Sequence, residues 1–478
     1  IKGLPPALAP CAPGVQFDPA VDNVLRHIES RRESYVEELG EFLRIPSVST
    51  DPERAEDVRR CAHYCRDALA RIGFPTAEVA ETAGHPIVYA EWTGAAGAPT
   101  VLFYGHYDVQ PVDPVHLWTD PPFEPVVHDG KIWARGSADD KGQVFAHMKA
   151  WEAWLSEEGR LPCNVKVLLE GEEEIGSEHL PAYLEANAVR LAADAVMISD
   201  SPMFTKGVPS LCYGLRGLCY MEIFVQGART DLHSGSFGGG VANPAQALAR
   251  ILAGLKDHEN HVAIEGFYDK VRPLSEEERA EFRKLPFNEV EFRQSLEVPE
   301  LVGEAGFTTL ERIWARPTLD VNGMISGFTG KGAKTVLPGA ASAKVSMRLV
   351  PDQDPEAIAA LFQRHVAANT PEGVTVRVVY HHGALPYIAP IDHPAVRAAK
   401  RALSKAFGAE AVLTREGGSI PITVTFQDVL GLHSVLMGFG LPDENAHAPD
   451  ENLDLDNLHY GILASAHFYR EFAESATA

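Results

Sequence analysis

The sequence predicts an α/β protein in which one domain is interrupted by a second, and three observations carry that expectation. Short apolar runs at 101–103, 165–169 and 195–198 alternate with helical patterns, the rhythm of a sheet whose parallel strands are joined by crossover helices. From 218 to 380 the order changes to strand, helix, strand, strand, helix, strand, the split unit of ferredoxin-like domains. The first rhythm then resumes near Val412 and Ser434 and closes with a helix from Asn457 to Glu474. At 478 residues the chain exceeds what one core supports. Two domains are expected, 1–213 together with 387–478, and 214–386 inserted between them.

Along the chain, Ile1 to Gln16 is rich in Pro and Ala, carries no basic and apolar signal pattern, and reads as a loose arm. Val101-Leu102-Phe103 is a buried strand that empties into Tyr104-Gly105-His106-Tyr107-Asp108-Val109-Gln110-Pro111. The mouth of such a strand is where open α/β sheets present ligand groups, although a lone His beside an Asp is common in ordinary cores. Ala134 to Gly142 leads into a helix marked by Val144, Met148, Trp151 and Leu155, and Asp139 alone would serve as a carboxylate at a helix N-terminus. Val165 to Leu169 is a strand followed at once by Glu170-Gly171-Glu172-Glu173-Glu174. A charge run is usually solvated, but one fixed to the end of a core strand has less freedom to be so. Ala195 to Ile198 ends in Ser199-Asp200, and the strand Ser434 to Phe439 is followed by Asn445-Ala446-His447. Any of these clusters alone has a bland explanation. Jointly, parallel strands bring their ends to one crevice, and carboxylates packed so closely call for a compensating cation. Two imidazoles and several carboxylates suit zinc or manganese better than a thiolate-loving ion.

In the interrupting segment the predicted elements are strands Leu218–Val225, Val321–Ile325, Ala343–Val350 and Val374–Tyr380, with helices Pro244–Leu255 and Pro355–Ala367. A long charged insertion, Asp257 to Thr318, separates the first helix from the second strand. Arg348 breaks an apolar alternation; it is either an outward, salt-bridged residue or a bidentate clamp for a carboxylate. Gly330-Lys331-Gly332 and Gly417-Gly418 lack the spacing of nucleotide loops. Ser234 and Ser419 lack the order of a serine hydrolase triad.

The formal charge of −24 argues against a nucleic-acid surface. No apolar run approaches the length of a membrane span, and no repeat of solenoid length stands out. The six cysteines show no zinc-ribbon spacing or disulfide framework, which favours a reducing cytoplasm. Cys61 and Cys65 read as two small buried side chains of a helix.

The strings His106-Tyr107-Asp108, Gly136 to Gly142, Glu170 to Ser177, Ser199-Asp200 and His447 resemble, in order, the five metal-site motifs of the co-catalytic metallopeptidases. That family includes carnosinase, cytosolic non-specific dipeptidase, carboxypeptidase G and succinyl-diaminopimelate desuccinylase. The likeness runs from about Glu38 to Glu474 and is nearest to the carnosinase-type dipeptidases, through chain length, the long insertion and Arg415 to Pro421. It implies a discontinuous zinc-peptidase-like catalytic domain with an inserted ferredoxin-like lid and dimerisation domain. Two divalent ions per subunit are implied, zinc favoured and manganese the alternative. Asp139 would bridge them, His106 and Asp200 completing one site, Glu174 and His447 the other. Glu173 would be the general base for a water held between the ions, and Asp108 would orient His106. His233 would reach a partner subunit's active site in a homodimer and stabilise the oxyanion. Thr335, His382 and Ser419 would help Arg348 hold a small peptide.

Adjacent Glu173 and Glu174 divide their tasks on the expectation that neighbours in an extended segment face opposite sides. Three functions are compatible with these residues. A dipeptidase acting on short peptides with a free carboxylate comes first, then an N-acyl amino-acid deacylase or desuccinylase, then a catalytically silent metal-binding scaffold. Retention of Glu173 argues against the third.

Overall fold

In a computed structural model the described residues are 19–418 and 420–475; the expected arm at 1–16 and Ser419 lie outside them. The chain builds two sheets of different character. The larger has nine strands and is mixed. At its centre Thr100–His106 runs parallel to Asn164–Glu170 on one side and to Ala195–Ile198 on the other, and Ala195–Ile198 is parallel in turn to Ser434–Leu436. Val101, Leu102, Phe103, Val167, Val196 and Met197 are fully buried. Continuous apolar runs suit such strands because helices cover both faces of a parallel sheet. Toward one edge Ile87–Trp92 and Thr76–Ala80 add antiparallel strands. Toward the other, Ser210–Leu215 pairs with Val412–Glu416 and with the short return strand Tyr387–Ile388.

Lys141–Glu158 is the helix that fixes the site. It is buried along most of its length, packs against Leu455–Ser475 and Pro19–Ser30, and its first turn lies under the end of Thr100–His106. Gly105 shows why: a Cβ there would stand 2.5 Å from Val144 and 2.9 Å from an Asp140 carboxylate oxygen. A larger residue would push strand and helix apart.

The smaller sheet has four antiparallel strands in the order Thr318–Ser326, Ala340–Leu349, Gly217–Gln226, Thr375–Ala384. Burial alternates along Gly217–Gln226, with Cys219, Met221, Ile223 and Val225 facing helices Pro244–Ala253 and Pro355–Ala368. The period of two in the sequence is thus a half-covered sheet, and its opposite face is open. It has its own hydrophobic core, separate from that of the nine-stranded sheet. The expected α/β architecture with an inserted ferredoxin-like sheet is present.

Several expectations differ in detail. The strand expected over Ser434 to Phe439 is only Ser434–Leu436, because the chain beyond Met437 leaves the sheet and makes the loop that carries His447. The insertion from 257 to 318, where charged helical stretches such as Ser275 to Arg279 are expected, does hold short helices, Glu276–Lys284, Glu289–Ser295 and Thr309–Trp314, the first and last closed by capping boxes at Ser275 and Thr308. No helix among the described residues is long and apolar enough to cross a membrane.

A candidate two-metal centre at the sheet edge

His106 ends its strand opposite Glu170, and Tyr104 on the same strand pairs with Ile198, so the three strand ends share one edge of the sheet. Asp139 arrives at that edge from the turn before helix Lys141–Glu158. It does not cap the helix. Instead its Oδ1 lies 3.0 Å from His106 Nε2 and its Oδ2 lies 2.7 Å from His447 Nε2. Asp200 Oδ2 is 3.9 Å from His106 Nε2, and Glu174 Oε2 is 3.4 Å from His447 Nε2. His106, Asp139 and Asp200 therefore offer one set of ligand atoms within 4.8 Å of one another, and Asp139, Glu174 and His447 a second. Asp139 belongs to both, one oxygen facing each imidazole.

The electrostatics call for positive charge. Burial, and then the negative charge of Asp139, pushes Asp200 and Glu174 each up to about 8. Burial also works to raise Asp139, but its hydrogen bonds to His106 and His447 hold it below the ordinary carboxylate value. The hydrogen bond to Asp139 lifts His447 to about 9. Oε1 of Glu174 is buried without a hydrogen-bond partner among the described residues. Carboxylates that resist ionisation because they are buried and, next, because they crowd each other, with a lone pair left over, form a site that a cation would complete. The donor set of two imidazoles and three carboxylates fits divalent ions of zinc or manganese type.

Asp108 sits behind this cluster. Its Oδ1 is 3.3 Å and its backbone oxygen 3.1 Å from His106 Nδ1, and its Oδ2 accepts the Glu174 backbone N–H at 3.1 Å. One carboxylate thus holds a residue of each set.

Glu173 and Glu174 do not lie in an extended segment, as expected from the sequence, but open a single 3-10 turn, Glu173–Ile175. Successive side chains of such a turn diverge by about 120°, so the two still separate, for a different reason. Glu174 turns in toward His447 and accepts a Gln110 amide N–H at 2.6 Å. Glu173 stays half-buried, makes no side-chain hydrogen bond or ion pair among the described residues, and is raised above its usual pKa by burial.

A wholly buried residue that the sequence reading missed holds the frame. Glu451 accepts Arg135 Nη1–H at 2.7 Å and the backbone N–H groups of Gly136, Ala138 and Asp139 at 2.9, 3.0 and 3.1 Å. Since Glu451 follows His447 in the same loop, it fastens the Asp139 turn to the His447 loop. Behind Glu173, Glu170 accepts hydrogen bonds from the Tyr104 and Ser177 hydroxyls, and burial raises it to about 8. Neither role leaves a mark in the sequence beyond an acid in an acidic run. The Cys61 thiol, buried in its helix as expected, faces the Tyr107 carbonyl at 3.6 Å and belongs to neither set of ligand atoms.

The residues expected to bind substrate fall into two groups. Arg348 stands opposite Leu218, and His382 opposite Tyr220, on the open face of the small sheet. The His382 and Tyr220 rings stack at 5.3 Å. His233 and Thr335 lie together elsewhere: strand Leu232–His233 pairs with Val336–Leu337, and Thr335 accepts the Ser234 N–H. His233 is exposed and accepts the Gly235 N–H, capping a short helix. None of these four makes a hydrogen bond or ion pair with the five clustered residues. Two cavities, of about 410 Å³ beside Arg316 and about 650 Å³ beside Arg377, are lined by none of the five clustered residues.

Residues 102–471 match the model for peptidase family M20/M25/M40. The chain is 32% identical to the Cys-Gly metallodipeptidase of Saccharomyces cerevisiae, over 95% of its own length and 99% of the relative's. It is also 32% identical to the Beta-Ala-His dipeptidase of Homo sapiens, over 95% and 93%. The crystal structure of human carnosine dipeptidase 1 superposes with a TM-score of 0.78 at 32% identity, covering 96% of this chain and 99% of that one. An M20 family metallo-carboxypeptidase from Sulfolobus solfataricus gives 0.79 at 35% identity, covering 92% and 99%. With a family match over most of its length and these relatives aligned end to end, the chain is a metallopeptidase of family M20/M25/M40.

Proposed function

We propose that this metallopeptidase hydrolyses dipeptides and short peptides that carry a free C-terminal carboxylate. The observation that carries the reading is Asp139, one carboxylate shared between two sets of metal-capable side chains. Bound there, two divalent ions supply an acidified water and a polarised scissile carbonyl. Zinc is favoured for both positions and manganese is the alternative. His106 and Asp200 would hold one ion, Glu174 and His447 the other.

Glu173 is the general base. It stands beside the cluster with its carboxylate uncommitted, free to accept a proton from the water. It passes the proton to the leaving amine. Asp108 fixes His106 through Nδ1. Arg348 takes the terminal carboxylate, with His382 and Ser419 beside it; Thr335, on the His233 hairpin, completes the substrate contacts from across the dimer interface. The catalytic unit is 1–213 with 387–478, and 214–386 is the lid and dimerisation unit of a homodimer. The exposed His233, which makes no hydrogen bond or ion pair with its own chain's cluster, is donated across that interface as oxyanion stabiliser. The five described cysteines are free and buried, which fits a cytoplasmic protein.

A substrate panel tests the reading. Dipeptides should be cleaved faster than N-acyl or N-succinyl amino acids, activity should vanish on chelation, and zinc or manganese alone should restore it. Cleavage confined to acylated substrates would replace dipeptidase by deacylase, and metal binding without hydrolysis of any of them would leave only a scaffold.

A further inference from the structure

Arg216 stands where the chain passes from the large sheet to the small one, between strands Ser210–Leu215 and Gly217–Gln226. Its backbone N–H donates to Gly418 O at 3.1 Å and its Nε–H to Gly417 O at 3.2 Å, so the guanidinium lies against the Gly417-Gly418 turn. Gly417 makes the approach possible: a Cβ there would stand 3.0 Å from Arg216 Nη2. Two residues on, Leu218 is the register partner of Arg348, and Tyr220 is that of His382. Arg216 therefore borders the open sheet face that carries both expected substrate contacts.

The electrostatics of Arg216 are unfinished. Its Nη1 is buried and has no hydrogen-bond partner among the described residues. Burial, and then the like charge of Arg348, lowers its pKa to about 10 against the pull of Glu416 and Asp320. Neither acid forms an ion pair with it. Glu416 Oε1 instead accepts the Gly417 N–H at 2.9 Å. The adjacent strand provides a contrast, since the buried Arg415 is paired with Glu278 and Tyr213. A buried guanidinium nitrogen without an acceptor, beside a second arginine, is costly unless an anion joins it.

We infer that Arg216 is a specificity-determining residue, a second guanidinium that takes the substrate's terminal carboxylate together with Arg348. The inference rests on the proposed reading of Arg348 as a carboxylate clamp. A carboxylate between the two arginines would supply the missing acceptor and relieve the like-charge repulsion, which an amide of the same shape could not do.

The test compares a dipeptide with its C-terminal amide on the metal-loaded wild type, Arg216→Gln and Arg216→Lys. Arg216→Gln should lower kcat/KM for the free acid at least tenfold, mainly through KM, while the amide changes less than twofold. Arg216→Lys should recover part of the loss. Equal losses on acid and amide, or no loss on either, would overturn the inference. Thermal melting and metal content accompany each variant; if Arg216→Gln fails to fold, the acid-to-amide ratio of Arg216→Lys decides, an unchanged ratio counting against. Should the wild type cleave only N-acyl amino acids, the dipeptidase reading fails, and comparing an N-acyl amino acid with its amide tests Arg216 in the same way.

Discussion

Asp139 presents one oxygen to each imidazole, so it cannot be exchanged for a residue with a single acceptor without losing one of the two sets. Glu173 is the opposite case, a carboxylate with nothing to hold. The neighbouring pair of glutamates therefore makes different predictions. Glu173→Gln keeps shape and removes proton acceptance, so kcat should fall by about 10²–10⁴ while the chain still takes up two ions. Turnover measured beside metal content by atomic emission checks this; full turnover in the variant would remove Glu173 from the mechanism. The residues of the cluster were legible in the sequence because each follows an apolar strand or introduces a helix, and strand ends converge by topology. Glu451 was not legible. Its work is done through backbone N–H groups of a turn more than 300 residues away, and acceptors of backbone bonds carry no spacing that a single sequence displays.

At the level of elements, the centre is a meeting of loops held by buried acids. Asp108 joins the loop after Thr100–His106 to the 3-10 turn at Glu173, and Glu451 joins the loop of His447 to the turn of Asp139. Asp450 adds a tie from the same loop, accepting the Thr119 N–H at 2.7 Å and its hydroxyl at 2.9 Å. Glu451→Gln would put an N–H donor against donors that now share a carboxylate. Metal affinity should weaken by about 10–100-fold, the range for losing a partner that orients ligands. A titration with a metal-chelating dye reads this directly, and unaltered affinity in a variant of lower melting temperature would reduce Glu451 to a scaffold role. Elements with a long period were read well from sequence: the buried parallel strands, the half-covered lid strands and the closing helix. The 3-10 turn at Glu173 was missed because three residues are too few to show a period, and the strand after His433 was overextended because apolar residues through Phe439 remain buried after leaving the sheet.

Across the molecule, the two cores divide the labour. The large sheet fixes the metal-capable cluster on a rigid edge, while the small sheet offers Arg348 and His382 on one open face, with Arg216 at its border, and His233 at a separate, exposed hairpin. The hydrophobic side chains Val321, Met324, Ile325 and Phe328, on and just beyond the strand Thr318–Ser326, are left exposed, as an edge that meets a second copy would require. Sequence periodicity could reveal that sheet through its alternating inner strands but not which of its edges is free. If His233 serves the partner's site, two inactive variants should rescue each other. A chain with Glu173→Gln still donates a sound His233, and a chain with His233→Ala still has its own base. Mixed after dissociation and reassembled at equal amounts, half the dimers would be mixed and each would regain one working site, about a quarter of wild-type activity. Activity that stays at the sum of the separate variants, with mixed dimers verified by a tag on one chain, would place His233 outside the catalytic assembly.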